Sequence, residues 1–185
     1  MLATTDGVRD WLENKFHDFD LYEEPVRGTY GLIWFLKQRN FGNQEFAVKT
    51  VPPESLSEDI KSLDVDYLRR EFRLWLRIQP HLNVVPALGF DNAVLTDPSS
   101  GKDVVIPVMR MPKMDGSLEE WVGKKAISTC DRLIAMSQVV NGLMHLYRNG
   151  FQGHGDLKPS NLLYSDMSRK FRLENGNVWT ITLGW

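Results

Sequence analysis

The run His154-Gly155-Asp156-Leu157-Lys158-Pro159-Ser160-Asn161-Leu162-Leu163 puts a carboxylate, an ammonium and an amide into one short stretch. An aspartate can orient an attacking hydroxyl and accept its proton. A lysine two residues on can reach a phosphoryl group in transfer, and an asparagine five residues after the aspartate offers an amide oxygen to Mg²⁺. The plain alternative is a polar loop closed by a proline, and the order of all ten residues is what sets this run apart from it.

Such a loop needs elements to hold it. Immediately before it, Leu133, Met136, Val140, Leu143, Met144 and Tyr147 recur at helical spacing, and Gly150 is placed to stop that helix. Near the N-terminus Asp6 to Phe16 reads as a short helix, with Asp6 as its cap and Val8, Trp11, Leu12 and Phe16 on one side. Leu32 to Leu36 and Glu45 to Val51 are strand-like, with Gly42-Asn43 as the turn between them. Leu68, Phe72, Trp75 and Leu76 mark a helix through Asp64 to Ile78. Asn83 to Phe90 and Val104 to Met111 read as two further strands, joined by a turn over Thr96 to Lys102. The order is strands with one helix, then helices from Ser117 onward, and the composition changes near Met114 to Gly116.

Composition bounds the possibilities. The 185 residues are 42% hydrophobic and 25% charged with a net charge of -2, which suits an ordinary globular chain with one core or two small lobes. That charge gives no reason to expect a nucleic-acid partner or an acidic membrane surface. The one cysteine, Cys130, rules out an internal disulfide framework and favours a reducing compartment. The N-terminus lacks the basic and apolar regions of a secretion signal, and no apolar run approaches the ~20 residues of a membrane span. The expected location is cytoplasmic.

His-Gly-Asp-Leu-Lys-Pro-Ser-Asn resembles the catalytic loop of protein kinases in its serine/threonine form; tyrosine kinases usually carry alanine or arginine where Lys158 stands. The resemblance implies an α+β, bilobal kinase-like fold. A complete N-lobe of antiparallel sheet plus helix C would be followed by the first part of a helical C-lobe. The implied division is a helical extension over 1–19, N-lobe over 20–111, hinge over 112–116 and partial C-lobe over 117–185. It implies ATP and Mg²⁺ as cofactors and a protein serine or threonine as substrate. By the same match Asp156 is the catalytic aspartate, Lys158 a γ-phosphate contact and Asn161 a metal ligand.

Other matches lie upstream. Phe46-Ala47-Val48-Lys49 is similar to the family's third-strand motif, 107 residues (156 − 49) before Asp156, so Lys49 would meet the α- and β-phosphates beside Ala47. Glu71, followed by Pro80-His81-Leu82-Asn83-Val84-Val85, resembles the helix-C glutamate and its trailing segment, and would pair with Lys49. The alternative for Glu71 is an ordinary surface residue beside Arg69 and Arg70. Gly28-Thr29-Tyr30-Gly31-Leu32-Ile33 resembles the second half of the glycine-rich loop. Gly28, Tyr30 and Gly31 would lie by phosphate and Ile33 on the adenine, with Val26 where the first glycine is usual. Val108 to Leu118 resembles the hinge, with Met111 as gatekeeper and Met114 as the backbone contact to adenine; another register makes Met109 the gatekeeper.

Two departures limit what the resemblance implies. Gly155 replaces the arginine through which many kinases read a phosphorylated activation loop. Thr182 stands where the family's Asp-Phe-Gly aspartate would hold Mg²⁺, and the chain ends 29 residues (185 − 156) after Asp156. Apolar surface left by a partial C-lobe would favour association. Three functions follow: a serine/threonine protein kinase, a catalytically impaired nucleotide-binding or interaction module, and a small-molecule phosphotransferase of the aminoglycoside or choline kinase kind. The last also uses His-Gly-Asp, but Lys158 and the Phe-Ala-Val-Lys strand favour the protein-kinase branch.

Overall fold

The computed structural model describes residues 1–28, 31–39, 44–52, 61–124, 128–166 and 179–184. It falls into two units, one made of Met1–Arg77 and Ala87–Lys113, the other of Ile78–Pro86 and Met114–Trp185. The last change of unit along the chain lies between Lys113 and Met114, beside the composition shift. Sequence order puts Ile78–Pro86 inside the first lobe, yet it belongs to the second unit.

The first unit is built on an antiparallel sheet in the order β1-β3-β4-β6-β5, with β2 also pairing β3. Its strands are β1 (Phe19–Leu21), β2 (Val26–Arg27), β3 (Leu32–Gln38), β4 (Glu45–Thr50), β5 (Gly89–Thr96) and β6 (Asp103–Pro112). Alternate residues of a strand face opposite sides of a sheet, and paired residues share a side. The row Trp34, Val48, Arg110 therefore lies on one face, and the rows Ile33, Lys49, Met109 and Phe35, Ala47, Met111 lie on the other.

Helix α1 (Thr5–Lys15) covers the first of these faces. Val8 and Leu12 are fully buried, Arg9 lies over the Trp34 ring, and Phe16 meets Phe46 edge-on while Arg110 lies over it. The cap of α1 is Thr4, whose hydroxyl accepts from the Gly7 N–H at 3.1 Å, so Asp6 is a first-turn residue and not the cap. An acidic group there still suits the positive end of the helix. Helix α2 (Lys61–Trp75) buries Leu68, Phe72 and Trp75, and Phe72 packs edge-on against Phe90 of β5.

Sequence periodicity places a strand over Asn83–Phe90, and the structure does not. Val84 and Val85 are buried in an irregular segment with a single bridge between His81 and Val84, and the strand begins only at Gly89. Pro86 lacks the N–H that a ladder requires, so the apolar pair before it is buried without being paired. The turn after β5 forms as expected, with the Asp97 N–H donating to the Lys102 carbonyl at 2.8 Å. The expected turn at Gly42-Asn43 lies outside the described residues.

The second unit pairs β7 (Gly116–Ser117), β8 (Leu162–Asp166) and β9 (Trp179–Leu183) as a small antiparallel sheet, with α3 (Leu118–Lys124) and α4 (Thr129–Arg148). Its core gathers Val84, Trp121, Ala135, Leu146 and Leu162. The apolar stripe that periodicity picks out on α4 is largely not in this core: Leu133, Met136 and Tyr147 are 63%, 67% and 76% exposed, while Ala135, Gly142 and Leu146 are buried. Both sides of α4 are apolar, and spacing alone cannot rank them. Among the described residues no helix is long and apolar enough to cross a membrane.

Candidate functional site

In the first unit the register of β4 decides the geometry. Lys49 points to the same face as Ala47, Met109 and Met111, and on that face its Nζ lies 2.5 Å from Glu71 Oε1 of α2. Both side chains are largely buried, at 9% and 13% exposure. A buried charge is tolerated when its partner is close and hydrogen-bonded, so this pair holds the lysine in one place. Glu71 is not the solvated surface residue of the alternative reading.

Gly31 lies close against Lys49. A Cβ there would stand 2.9 Å from the Thr50 carbonyl oxygen and 3.4 Å from Lys49 Cγ, so no larger residue fits without movement. Gly28 donates its N–H to the Gly31 carbonyl at 2.8 Å. Tyr30 itself lies outside the described residues. Ile33 pairs with Lys49 across β3 and β4, and Phe35 pairs with Ala47. Met111 lies opposite Ala47 and Met109 opposite Lys49, both on the lysine's face. Met114 opens the second stretch of the second unit and is partly buried.

In the second unit the loop after α4 brings Asp156, Lys158 and Asn161 together. Lys158 Nζ is 2.7 Å from Asp156 Oδ2, and Asn161 Nδ2 donates to the Asp156 carbonyl at 2.8 Å and to its Oδ2 at 2.9 Å. A 3₁₀ turn over Pro159–Asn161, opened by the proline, sets the asparagine back towards the aspartate. The hydrogen bond from Lys158 is the main reason that the Asp156 carboxyl titrates below its ordinary value of 3.8; desolvation opposes it, and the Asn161 hydrogen bond adds a lesser lowering. The group is an anion at neutral pH. Both Asn161 bonds run through its amide nitrogen and do not use its amide oxygen.

Gly155 has a backbone reason for its identity. Its φ of +84° lies in the left-handed region that favours glycine. His154 stands in the motif without an assigned role, and the structure gives it one. Its Nε2 donates to the Gly184 carbonyl at 2.6 Å, and the Gly184 N–H donates to the Asn161 carbonyl at 2.8 Å. The loop is thereby tied to the end of β9. Only its place inside the motif could have pointed to this residue.

Thr182 lies on β9 opposite Leu163, is 6% exposed, and donates its hydroxyl to the Leu163 carbonyl at 3.4 Å. Among the described residues no group of three or more His, Cys, Asp or Glu side chains is arranged to hold a metal.

The model of the protein kinase domain matches residues 26–174, most of the sequence. The chain belongs to the protein kinase domain family. This kinase domain is 27% identical over 146 residues to the tyrosine kinase receptor Cad96Ca of Drosophila melanogaster, covering 75% of the chain and 18% of that protein. It is 26% identical over 157 residues to calcium-dependent protein kinase 10 of Oryza sativa subsp. japonica, covering 84% of the chain and 24% of that protein. In structure it is similar to the MAP kinase LmaMPK10 from Leishmania major, with a TM-score of 0.69 at 19% identity, over 98% of the chain and 49% of that kinase. The chain thus spans about half of the solved kinase and a quarter or less of the curated relatives. The fold is kinase-like, and helix α1 precedes the matched region.

Proposed function

We propose that this kinase domain transfers the γ-phosphoryl group of ATP to a serine or threonine hydroxyl of a protein. The observation that carries the reading is the Lys49–Glu71 ion pair. It joins a strand to a helix 22 residues later and fixes a buried ammonium where nothing in the packing alone requires one. Lys158 at its place in the loop favours serine or threonine over tyrosine.

The residues fit a nucleotide phosphate well and the metal in part. ATP with Mg²⁺, when bound, would supply the phosphoryl group and the cation that neutralises its charge. Lys49 would hold the α- and β-phosphates, with Gly28, Tyr30 and Gly31 close by. Ile33, Ala47, Met111 and Met114 would border the adenine. Asp156 would orient the hydroxyl and take its proton, Lys158 would sit against the γ-phosphate, and Asn161 would offer its amide oxygen to Mg²⁺. Thr182 offers no carboxylate, and its hydroxyl is already donated to Leu163.

That last observation favours a second reading, a nucleotide-binding module without phosphoryl transfer. One experiment addresses both. The melting temperature of the chain is measured with ATP, with and without Mg²⁺, for the native sequence and for Lys49→Met. Ligand at 100 times its dissociation constant stabilises by about 2.7 kcal/mol, roughly 5–10 degrees for a domain of this size. The expected result is a shift that Lys49→Met abolishes, followed by phosphate incorporation into a protein acceptor. A shift without incorporation supports the second reading, and no shift in either protein removes the nucleotide site.

A further inference from the structure

The second unit contains a pair of histidines that the proposed reaction does not use. His81, in the Ile78–Pro86 segment, stacks on His145 near the C-terminal end of α4, with ring centroids 4.4 Å apart and planes 17° from parallel. His145 Nε2 donates to the Gln79 carbonyl at 2.8 Å, so α4 is bonded to the segment as well as stacked on it. The Asn83 N–H donates to His81 Nδ1 at 3.1 Å. A ring nitrogen that accepts a backbone N–H carries no proton, so the fold selects the neutral His81 ring with its hydrogen on Nε2.

We propose that the His81–His145 stack is an acid-sensitive latch, holding the Ile78–Pro86 segment on the end of α4 while His81 is neutral and releasing it when His81 is protonated. A proton on Nδ1 removes the bond from Asn83 and places a cation against the neighbouring groups. The titratable and charged groups that act on His81 are His145 and Arg148, both on α4 and both cationic when charged. Burial first, then these two, hold His81 below its ordinary value of 6.5. The sign follows from that direction. The unfolded chain binds the proton more readily than the fold, so the latch is strongest above 6.5 and weakens as pH falls from there through the lower folded value.

The consequence reaches the proposed catalytic groups along the chain. The segment begins three residues after the end of α2, which carries Glu71, and α4 runs directly into the loop that carries Asp156. The proposal does not depend on phosphoryl transfer, and its test needs no nucleotide.

The imidazole ¹⁵N signals of the full chain are followed by NMR from about pH 8 to 5, together with exchange protection of the Asn83 and Val84 amides. The expected result is an Nε2–H tautomer for His81 with a midpoint below 6.5. Protection at both amides should fall in step with that titration. Removing the second imidazole but keeping an aromatic ring in the stack, His145→Phe, should move the His81 midpoint upward. A His81 midpoint at or above 6.5, or amide protection that ignores its titration, overturns the latch. An unmoved midpoint in folded His145→Phe removes His145 from it, and the native-sequence titration decides the matter even if that variant does not fold.

Discussion

The kinase domain carries two ion pairs at its proposed catalytic groups, and they are built differently. Lys49–Glu71 is largely buried and joins a strand to a helix, whereas Asp156–Lys158 lies within one loop with its side chains 52% and 41% exposed. A buried pair depends on its partner, because a lone charge left in the interior is costly. An exposed pair is screened by water and contributes little to stability. One unit therefore gives up stability for position, while the other leaves its proposed catalytic carboxylate in reach of solvent. Loss of a member of the first pair should damage fold and activity together, and loss of a member of the second should damage activity alone.

The comparison breaks most visibly at Glu71. Glu71→Ala leaves Lys49 buried without its partner and should cost about 3–5 kcal/mol, read as a melting temperature lower by roughly ten degrees. An unchanged melting temperature would show that the pair does not hold the first unit. Asp156→Asn is the counterpart. It should reduce the phosphoryl-transfer rate about 10²- to 10⁴-fold and leave the melt where it was; a large fall in melting temperature instead would make Asp156 a structural residue.

Thr182 sharpens the contrast by placing a charge in the second unit's interior. Thr182→Asp exchanges a donated hydroxyl for a carboxylate facing the Leu163 carbonyl, and should cost about 1–3 kcal/mol without metal. If Asn161 is a metal ligand, Mg²⁺ with ATP should recover part of that loss in Thr182→Asp and not in the double variant with Asn161→Ala. Equal recovery in both would take Asn161 out of the metal site.

Much of this was legible in the chain. The spacing within His154–Asn161 is local, and a proline-opened turn suffices to bring Asp156, Lys158 and Asn161 together. Lys49 and Glu71 were legible as partners only through the family resemblance, since 22 intervening residues say nothing of distance. The Asn83–Phe90 strand was misplaced because Val84 and Val85 are buried apolar residues, and burial with a following proline looks the same in sequence as a strand. The apolar stripe of α4 is exposed at Leu133, Met136 and Tyr147, in line with the apolar surface expected of a partial C-lobe; periodicity finds such a stripe, but not that Ala135 and Leu146 make the core contact.

By itself the sequence determined which chemical groups are available, the strand alternation that puts Ala47 and Lys49 on one face, and the loop that clusters around Asp156. These depend on local geometry and spacing. Only the tertiary structure decided that Lys49 is buried against Glu71, that α1 covers the opposite face of the sheet, and that His81 meets His145. Those contacts join residues far apart in the chain, and their existence depends on packing among several elements at once.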